Sequence, residues 1–437
     1  MIKVNITYVK KETRLIGLFS AVSIVIASMV GGGIFTTSGF LMEELRSPFL
    51  LLCVWLFGGI VALCGALSYA ELASSMPESG GEYCYLTRLY HPAVGFLSGW
   101  FSLLVGFSAP IAASAIAFGI YIEAFLPEAV SPKLAAFGLV SIVSLLHMAD
   151  IRLGTYFQNF FTFIKVALIL TLILSGFALG TGKMPSMIPS SQEMGCLFSP
   201  VFATSIIFVF FSYSGWNAAT YIGGEIKNPV KNLPLSLLLG TLIVIFLYLG
   251  LNVLYLYSIP AKEMAGKLEV GHLAAVNLFG HNIGQYFSLL IALFLISSVS
   301  AMVMVGPRVY QAMGKNISFF SILSVTTQGN SPVIAILLQW LIASVFIAFM
   351  FFESLLYYIG FSISIFSWLT VFGIFIHRLK GVHHIYQTWG YPITPLIFLL
   401  ATGWSIFHMV YIKPFESIYT VATLLIGLVV YWITQKK

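Results

Sequence analysis

Three consecutive glycines, Gly31-Gly32-Gly33, lie in the run Ser28-Met29-Val30-Gly31-Gly32-Gly33-Ile34-Phe35, within an otherwise apolar stretch. Each glycine costs about 1 kcal/mol of helix propensity against alanine, so a helix through this stretch is expected to break there. A second polar, glycine-bearing run, Phe211-Ser212-Tyr213-Ser214-Gly215-Trp216-Asn217, interrupts another apolar stretch. Unwound backbone has N–H and C=O groups without helical partners. The half-helix restarting near Gly33 offers free N–H groups and a positive dipole end, which favour a carboxylate. The carbonyls closing the other halves, at Met29, Phe211 and Ser214, are acceptors suited to an ammonium. Amide donors close to unpaired carbonyls are complementary to an α-amino acid zwitterion. A Cβ at Gly31, Gly32 or Gly33 would hold such a ligand off the backbone.

Lys165 is the other residue whose type is informative where it stands. It lies about ten residues into an apolar stretch, hence about 15 Å along a helix, too deep to reach the interface comfortably. One reading is a lysine that nevertheless reaches the cytoplasmic interface; the other is a functional charge, the default for an ionisable group inside a span. No acid lies at similar depth in the sequence, so backbone carbonyls of a broken helix are the expected partners.

The elements that position these residues follow from composition. Of 437 residues 59% are hydrophobic and only 8% charged, with a mean hydropathy of +0.98. A soluble protein carries roughly 25% charged residues, so a soluble reading is excluded. The apolar stretches are too long for transmembrane strands, which alternate over about ten residues. We read twelve helical spans near 15–42, 48–75, 92–125, 132–149, 155–179, 196–223, 234–258, 284–313, 331–350, 354–377, 391–412 and 416–433. The net charge of +6 comes from scattered basic residues rather than a patch, which argues against a nucleic-acid partner. Most of the basic residues fall in alternate loops, which places both termini in the cytoplasm. Residues 10–14 run directly into the first span, as in a retained signal anchor. The four cysteines, Cys53, Cys64, Cys84 and Cys196, have no metal-ligand spacing, and neither a metal nor a cofactor is expected.

The two interruptions fall in the first and sixth spans. These are corresponding positions if ten spans form two five-helix halves, the sequence pointer to an inverted-repeat transporter. The expected division is a cytoplasmic N-terminus at 1–14, a first repeat at 15–179, a second at 196–377 and two peripheral helices at 391–433.

At these residues the sequence resembles the amino acid–polyamine–organocation superfamily, particularly bacterial permeases close to L-type and cationic amino acid transporters. The resemblance rests on Gly31-Gly32-Gly33-Ile34-Phe35, Tyr69-Ala70-Glu71-Leu72, Pro77-Glu78-Ser79-Gly80-Gly81-Glu82-Tyr83, Lys165, the Phe211–Asn217 run, Gly224-Glu225-Ile226-Lys227-Asn228-Pro229 and Lys231-Asn232-Leu233-Pro234. It implies a LeuT-like 5+5 inverted repeat with broken helices 1 and 6. It implies Gly32 and Gly33 amides on the substrate carboxylate, Met29, Phe211 and Ser214 carbonyls on the amine, and the Phe211 ring as a gate. Trp216 is either a substrate contact or ordinary packing. Lys165 matches the lysine that replaces a sodium in sodium-independent members, and Glu71 and Glu225 are expected to organise a cytoplasmic gate.

The implied function is sodium-independent transport of α-amino acids, by proton symport or by exchange. Neutral side chains of medium or large size are favoured, because all fifteen acids lie in loops or near span ends. Cationic amino acids or polyamines are the alternative. The expected partners are an amino acid substrate, the lipid bilayer and coupled protons, in a bacterial inner membrane. The loop from Glu123 to Pro132 has no cysteine, so no disulfide-linked heavy chain is expected. An intramembrane serine hydrolase using Ser214 is the reading from another class, disfavoured because His147, His377 and His408 lie towards span ends.

Overall fold

The structure is a computed structural model that describes residues 14–435 apart from 128, 150, 328–330, 350–351, 382–385 and 413. The N-terminal segment expected on the cytoplasmic side therefore lies, except for Arg14, outside the described residues. The helices in chain order are α1 (Leu18–Met29), α2 (Gly33–Leu45), α3 (Pro48–Ser75), α4 (Glu82–Leu89), α5 (Pro92–Phe101), α6 (Ser108–Ile122), α7 (Pro132–Ala149), α8 (Ile151–Leu179), α9 (Ser191–Cys196) and α10 (Pro200–Tyr213). They continue as α11 (Ala218–Tyr221), α12 (Pro229–Ser258), α13 (Ala261–Met264), α14 (Val270–Phe279), α15 (His281–Asn316), α16 (Val333–Phe349), α17 (Phe352–Leu379), α18 (Ile393–Ile412) and α19 (Pro414–Gln435). Extended pairing among the described residues is confined to two isolated bridges, Ile16 with Ile226 and Ser79 with Ile222.

Local chemistry sets several helix starts. Ser47 and Ser199 stand before Pro48 and Pro200, and each hydroxyl accepts the N–H three residues on, from Leu50 and Phe202, at 3.2 Å. Serine at the cap with proline at the first helical position satisfies one orphan donor and removes another.

Ten helical segments among the described residues are long and apolar enough to cross a membrane, with α1–α2 and α5–α6 each counted as one. The protein is thus an all-α polytopic membrane protein. Two of the expected spans correspond to shorter helices. In the sixth, the break after Tyr213 limits α10 to 14 residues, and the ninth corresponds to α16, 17 residues from Val333 to Phe349. The large side chains with more than half their surface exposed include Leu145, Phe163, Phe246 and Leu425, the outward face that hydrocarbon would cover.

Inside, α12 packs along α3 and α1, α15 along α6 and α8, and α10 against α2, α3 and α17. Both interrupted helices are thereby enclosed by other helices. A third interruption is present in the third span, where α5 and α6 are joined through a π-helical turn, Ser102–Gly106. Such turns recur at functional sites.

Candidate functional site

The first break runs from Val30 to Gly32. The Val30 N–H closes α1 on the Ile26 carbonyl at 2.8 Å, and Gly31 N–H turns back to the Met29 carbonyl at 2.8 Å. Among the described residues the N–H groups of Gly32 and Gly33 meet no acceptor. At the second break, the Phe211 carbonyl accepts both the Ser214 N–H at 3.0 Å and the Ser214 hydroxyl at 2.6 Å. The Ser214 carbonyl accepts no bond among the described residues.

The two breaks touch. The Tyr248 hydroxyl of α12 lies 2.6 Å from the Met29 carbonyl and 2.9 Å from the Ser212 carbonyl, so one proton is shared across both interrupted helices. A Cβ on Gly33 would stand 2.9 Å from the Ser212 Cα. Gly215 has φ +99°, and a Cβ there would lie 2.7 Å from the Ser28 carbonyl carbon, so this position needs glycine for both conformation and close approach.

Lys165 is fully buried, and its ammonium donates to the Val30 carbonyl at 2.6 Å and to the Ser298 hydroxyl of α15 at 2.8 Å. Ser298 also donates to the Val30 carbonyl at 2.7 Å. Neighbouring serines on α15 hold α8 and α7: Ser297 accepts from Gln158 at 3.2 Å, and Ser300 lies 2.8 Å from His147 Nε2.

Two cavities flank the second break. One is lined by Ser28, Glu82, Ser102, Phe107, Ser214 and Asn217; the other by Val61, Tyr213, Trp216, Ser367 and Phe398, with Ser214, Gly215 and Asn217 common to both. Ser28 is buried, and its hydroxyl has no partner among the described residues. Gly31, Gly32 and Gly33 line neither cavity; they pack near Ser114, Ala117 and Ser212. Trp216 stands edge-on to Tyr69, with ring centroids 4.7 Å apart, and also meets Phe398.

Glu82 opens α4, the short helix between the second and third spans, and the fold brings it to the cavity beside the second break. Its Oε1 accepts from the Tyr69 hydroxyl, from Asn217 Nδ2 at 3.2 Å and from the Ser367 hydroxyl at 3.2 Å. Burial pushes the Glu82 carboxyl up to about 7, while these donors pull the other way.

Glu71 and Glu225 are held by arginines. Arg378 grips Glu71 as a fork, Nε to Oε1 at 2.8 Å and Nη2 to Oε2 at 2.7 Å, and the Thr388 N–H adds a bond at 2.7 Å. Arg308 Nε reaches Glu225 Oε1 at 3.1 Å. Around Glu225 the chain is tied together, with the Ile16 N–H on the Glu225 carbonyl at 2.9 Å and the Lys227 N–H on the Ile16 carbonyl at 2.8 Å.

The structure therefore joins Met29 to Ser212 through Tyr248, ties Ser214 to Phe211, sets Lys165 on the Val30 carbonyl, and holds Glu71 and Glu225 in separate ion pairs. Tyr248, Ser28, Asn217 and Glu82 were not singled out from the sequence. Ser28, Asn217 and Glu82 stand inside quoted runs, which was the available signal; Tyr248 has none beyond a polar group in a span. Among the described residues no group of three or more His, Cys, Asp or Glu could hold a metal ion.

Two facing broken helices in an all-α membrane protein, with a cavity at their junction and a buried lysine on one carbonyl, define the class of secondary transporters. Residues 16–434 match the family described as amino acid permease, and the chain belongs to that family. It is a transporter of amino acids and not an enzyme. It is 30% identical over 397 residues to the serine/threonine exchanger SteT of Bacillus subtilis, covering 89% of this chain and 88% of the relative. It is 28% identical to the human b(0,+)-type amino acid transporter 1 (98% and 88% covered) and 27% to the mouse large neutral amino acids transporter small subunit 2 (97% and 81%).

The last name corrects one expectation. A relative named as a small subunit belongs to a transporter of more than one subunit, so the expectation of no disulfide-linked heavy chain is withdrawn. The expectation rested on one loop without cysteine, and that tests a single point of attachment rather than the existence of a partner surface.

Proposed function

We propose that the protein moves α-amino acids by alternating access, with the substrate seated where the α1–α2 and α10–α11 breaks meet. The observation that carries this reading is that the Gly32 and Gly33 N–H groups of one break and the Ser214 carbonyl of the other are unpartnered among the described residues, at two breaks bridged by Tyr248. Backbone of this kind survives at membrane depth only where protein, water or a ligand can satisfy it. On this reading Gly31, Gly32 and Gly33 hold the carboxylate, and Met29, Phe211 and Ser214 the amine. Tyr248 must release Met29 for the amine to bind. Phe211 and Trp216 form walls, and Glu71 and Glu225 lock the cytoplasmic side through Arg378 and Arg308.

The same reading takes the twelve spans as two inverted five-helix repeats, 15–179 and 196–377, with peripheral helices at 391–433, both termini cytoplasmic, in a bacterial inner membrane. Transport is sodium-independent, because the Lys165 ammonium occupies the oxygen cluster of Val30 and Ser298 that a cation would need. Coupling is by exchange or by proton symport; the name of the serine/threonine exchanger supports the former. Neutral side chains are favoured, in keeping with two of the relatives' names. Glu82 on the cavity favours a second reading, cationic substrates, since the fold returns to the core an acid that in sequence lies between spans.

Uptake of labelled leucine into proteoliposomes should proceed equally with sodium or choline as the outer cation, and be competed by methionine and phenylalanine. A strict sodium requirement would overturn the assignment of Lys165. Competition by arginine and lysine alone would replace the neutral reading with the cationic one.

A further inference from the structure

Glu71, Glu225 and Glu78 are each paired with an arginine: Arg378, Arg308 and Arg88. Glu82 differs. It is buried, and among the described residues no basic group pairs with it. Isolated carboxylates are costly to bury, and such a group resolves its cost by neutral donors or by taking up a proton. The three donors bonded to Glu82 are all neutral, and all end on Oε1. They come from three separate parts of the fold: Tyr69 from α3, Asn217 from the turn after the second break, and Ser367 from α17. Charge-assisted bonds to a carboxylate are roughly twice as strong as neutral ones, so the charge on Glu82 fixes how firmly these parts are joined.

We propose that Glu82 is the proton-binding site of the transporter, and that its protonation loosens the junction between the second break, α3 and α17 so that the broken helix can move. This deepens the transport reading above and rests on it. A proton from cavity water adds to the carboxyl oxygen not engaged by the three donors, giving a neutral acid. It returns to water when the cavity opens on the other side.

The charged and titratable groups around Glu82 are phenols, arginines in their own ion pairs and groups at the periphery. Tyr69, Tyr85 and Tyr221 face it, phenols that stay neutral in this range. Arg378 on α17, Arg308 on α15 and Arg88 on α4 are held by their own carboxylates. His91 stands ahead of α5 at the exposed rim, where its ring accepts the Ala93 N–H, and exposed Lys315 ends α15. His377 lies near the end of α17, beside Arg378 and ten residues past Ser367.

The test uses purified full-length protein in proteoliposomes, with labelled leucine exchange measured across pH and a trapped pH dye reporting proton entry. Wild-type exchange should rise about tenfold from pH 8 to pH 6, the change in protonated fraction of a site centred near neutrality, and leucine entry should acidify the lumen. Glu82→Gln, which mimics the neutral acid, should hold the acid-side rate at every pH and abolish acidification. Ser367→Ala and Tyr69→Phe each remove a donor that favours the charged form, so each should move the wild-type midpoint to higher pH. These variants keep the test decisive if Glu82→Gln does not fold. Wild-type pH dependence retained in Glu82→Gln, or midpoints unmoved by both donor variants, would overturn the proposal. So would pH-independent exchange in the wild type. Absence of any amino acid flux in well-folded wild type would instead overturn the transport reading itself.

Discussion

The molecule buries one cation and one unpaired anion beside its two breaks, and satisfies them by different means. Lys165 meets a main-chain carbonyl, Val30, freed by the first break, with Ser298 as a second acceptor. Glu82 meets side-chain donors only, from Tyr69, Asn217 and Ser367. A broken helix exposes carbonyls at the end of its first half, so a cation there needs no counter-charge. An anion finds the matching supply of N–H groups at a helix start; Glu82 opens α4, yet its carboxylate is bonded by side chains. The cation is thus bonded to the backbone, whereas the anion is held by bonds that each come from a different part of the fold.

Lys165→Ala should have the largest effect on this contrast. It removes two charge-assisted bonds, to the Val30 carbonyl and to the Ser298 hydroxyl, while Ser298 still donates to Val30, and a hydrogen bond from a charged group is worth about 1.5–3 kcal/mol. We expect leucine exchange at background in protein that still runs as a single species on size exclusion. Normal exchange in Lys165→Ala would mean that the first break does not need its cation.

The next effect compares glycines on the two sides. Gly215→Ala places a Cβ against the Ser28 backbone at positive φ, strain of about 1–3 kcal/mol or more. Gly31→Ala meets the Ser114 hydroxyl at 3.6 Å and the Met29 carbonyl oxygen and Ser298 Cβ at 4.0 Å, ordinary contact distances. Thermal unfolding in detergent should therefore drop clearly for Gly215→Ala and hardly change for Gly31→Ala, while leucine affinity falls in Gly31→Ala as its methyl stands off the carboxylate. Equal destabilisation of both variants would show that the breaks are equally crowded.

Much of this was legible in the residues, for identifiable reasons. Runs of glycine and serine at membrane depth mark helix breaks because nothing else in hydrocarbon favours them, and Lys165 is conspicuous because charges are rare in spans. The truncated α10 falls below spanning length because its end is set by a break rather than by hydropathy. The π-helical turn at Ser102–Gly106 has no mark beyond one glycine. Glu82 was illegible for a geometric reason: in the chain it follows a span end and reads as a loop acid, and only the packing of α4 against α17 and α15 carries it to the cavity.

The smallest predicted effect probes the hydroxyl that bonds to carbonyls of both interrupted helices. Tyr248→Phe leaves the ring packed against Trp55 and Tyr213, with centroids 5.3 and 4.9 Å away, and deletes only the hydroxyl. The Met29 carbonyl keeps the Gly31 N–H, so the loss is one shared bond, worth about 0.5–1.5 kcal/mol. If the amine of the substrate takes the place of this hydroxyl on Met29, its removal frees an acceptor and should tighten leucine binding while slowing the return of the empty carrier. Equilibrium binding compared with net efflux separates the two. Weaker binding with unchanged efflux would mean that the hydroxyl contacts substrate directly, and that the two breaks are joined through the ligand rather than through Tyr248.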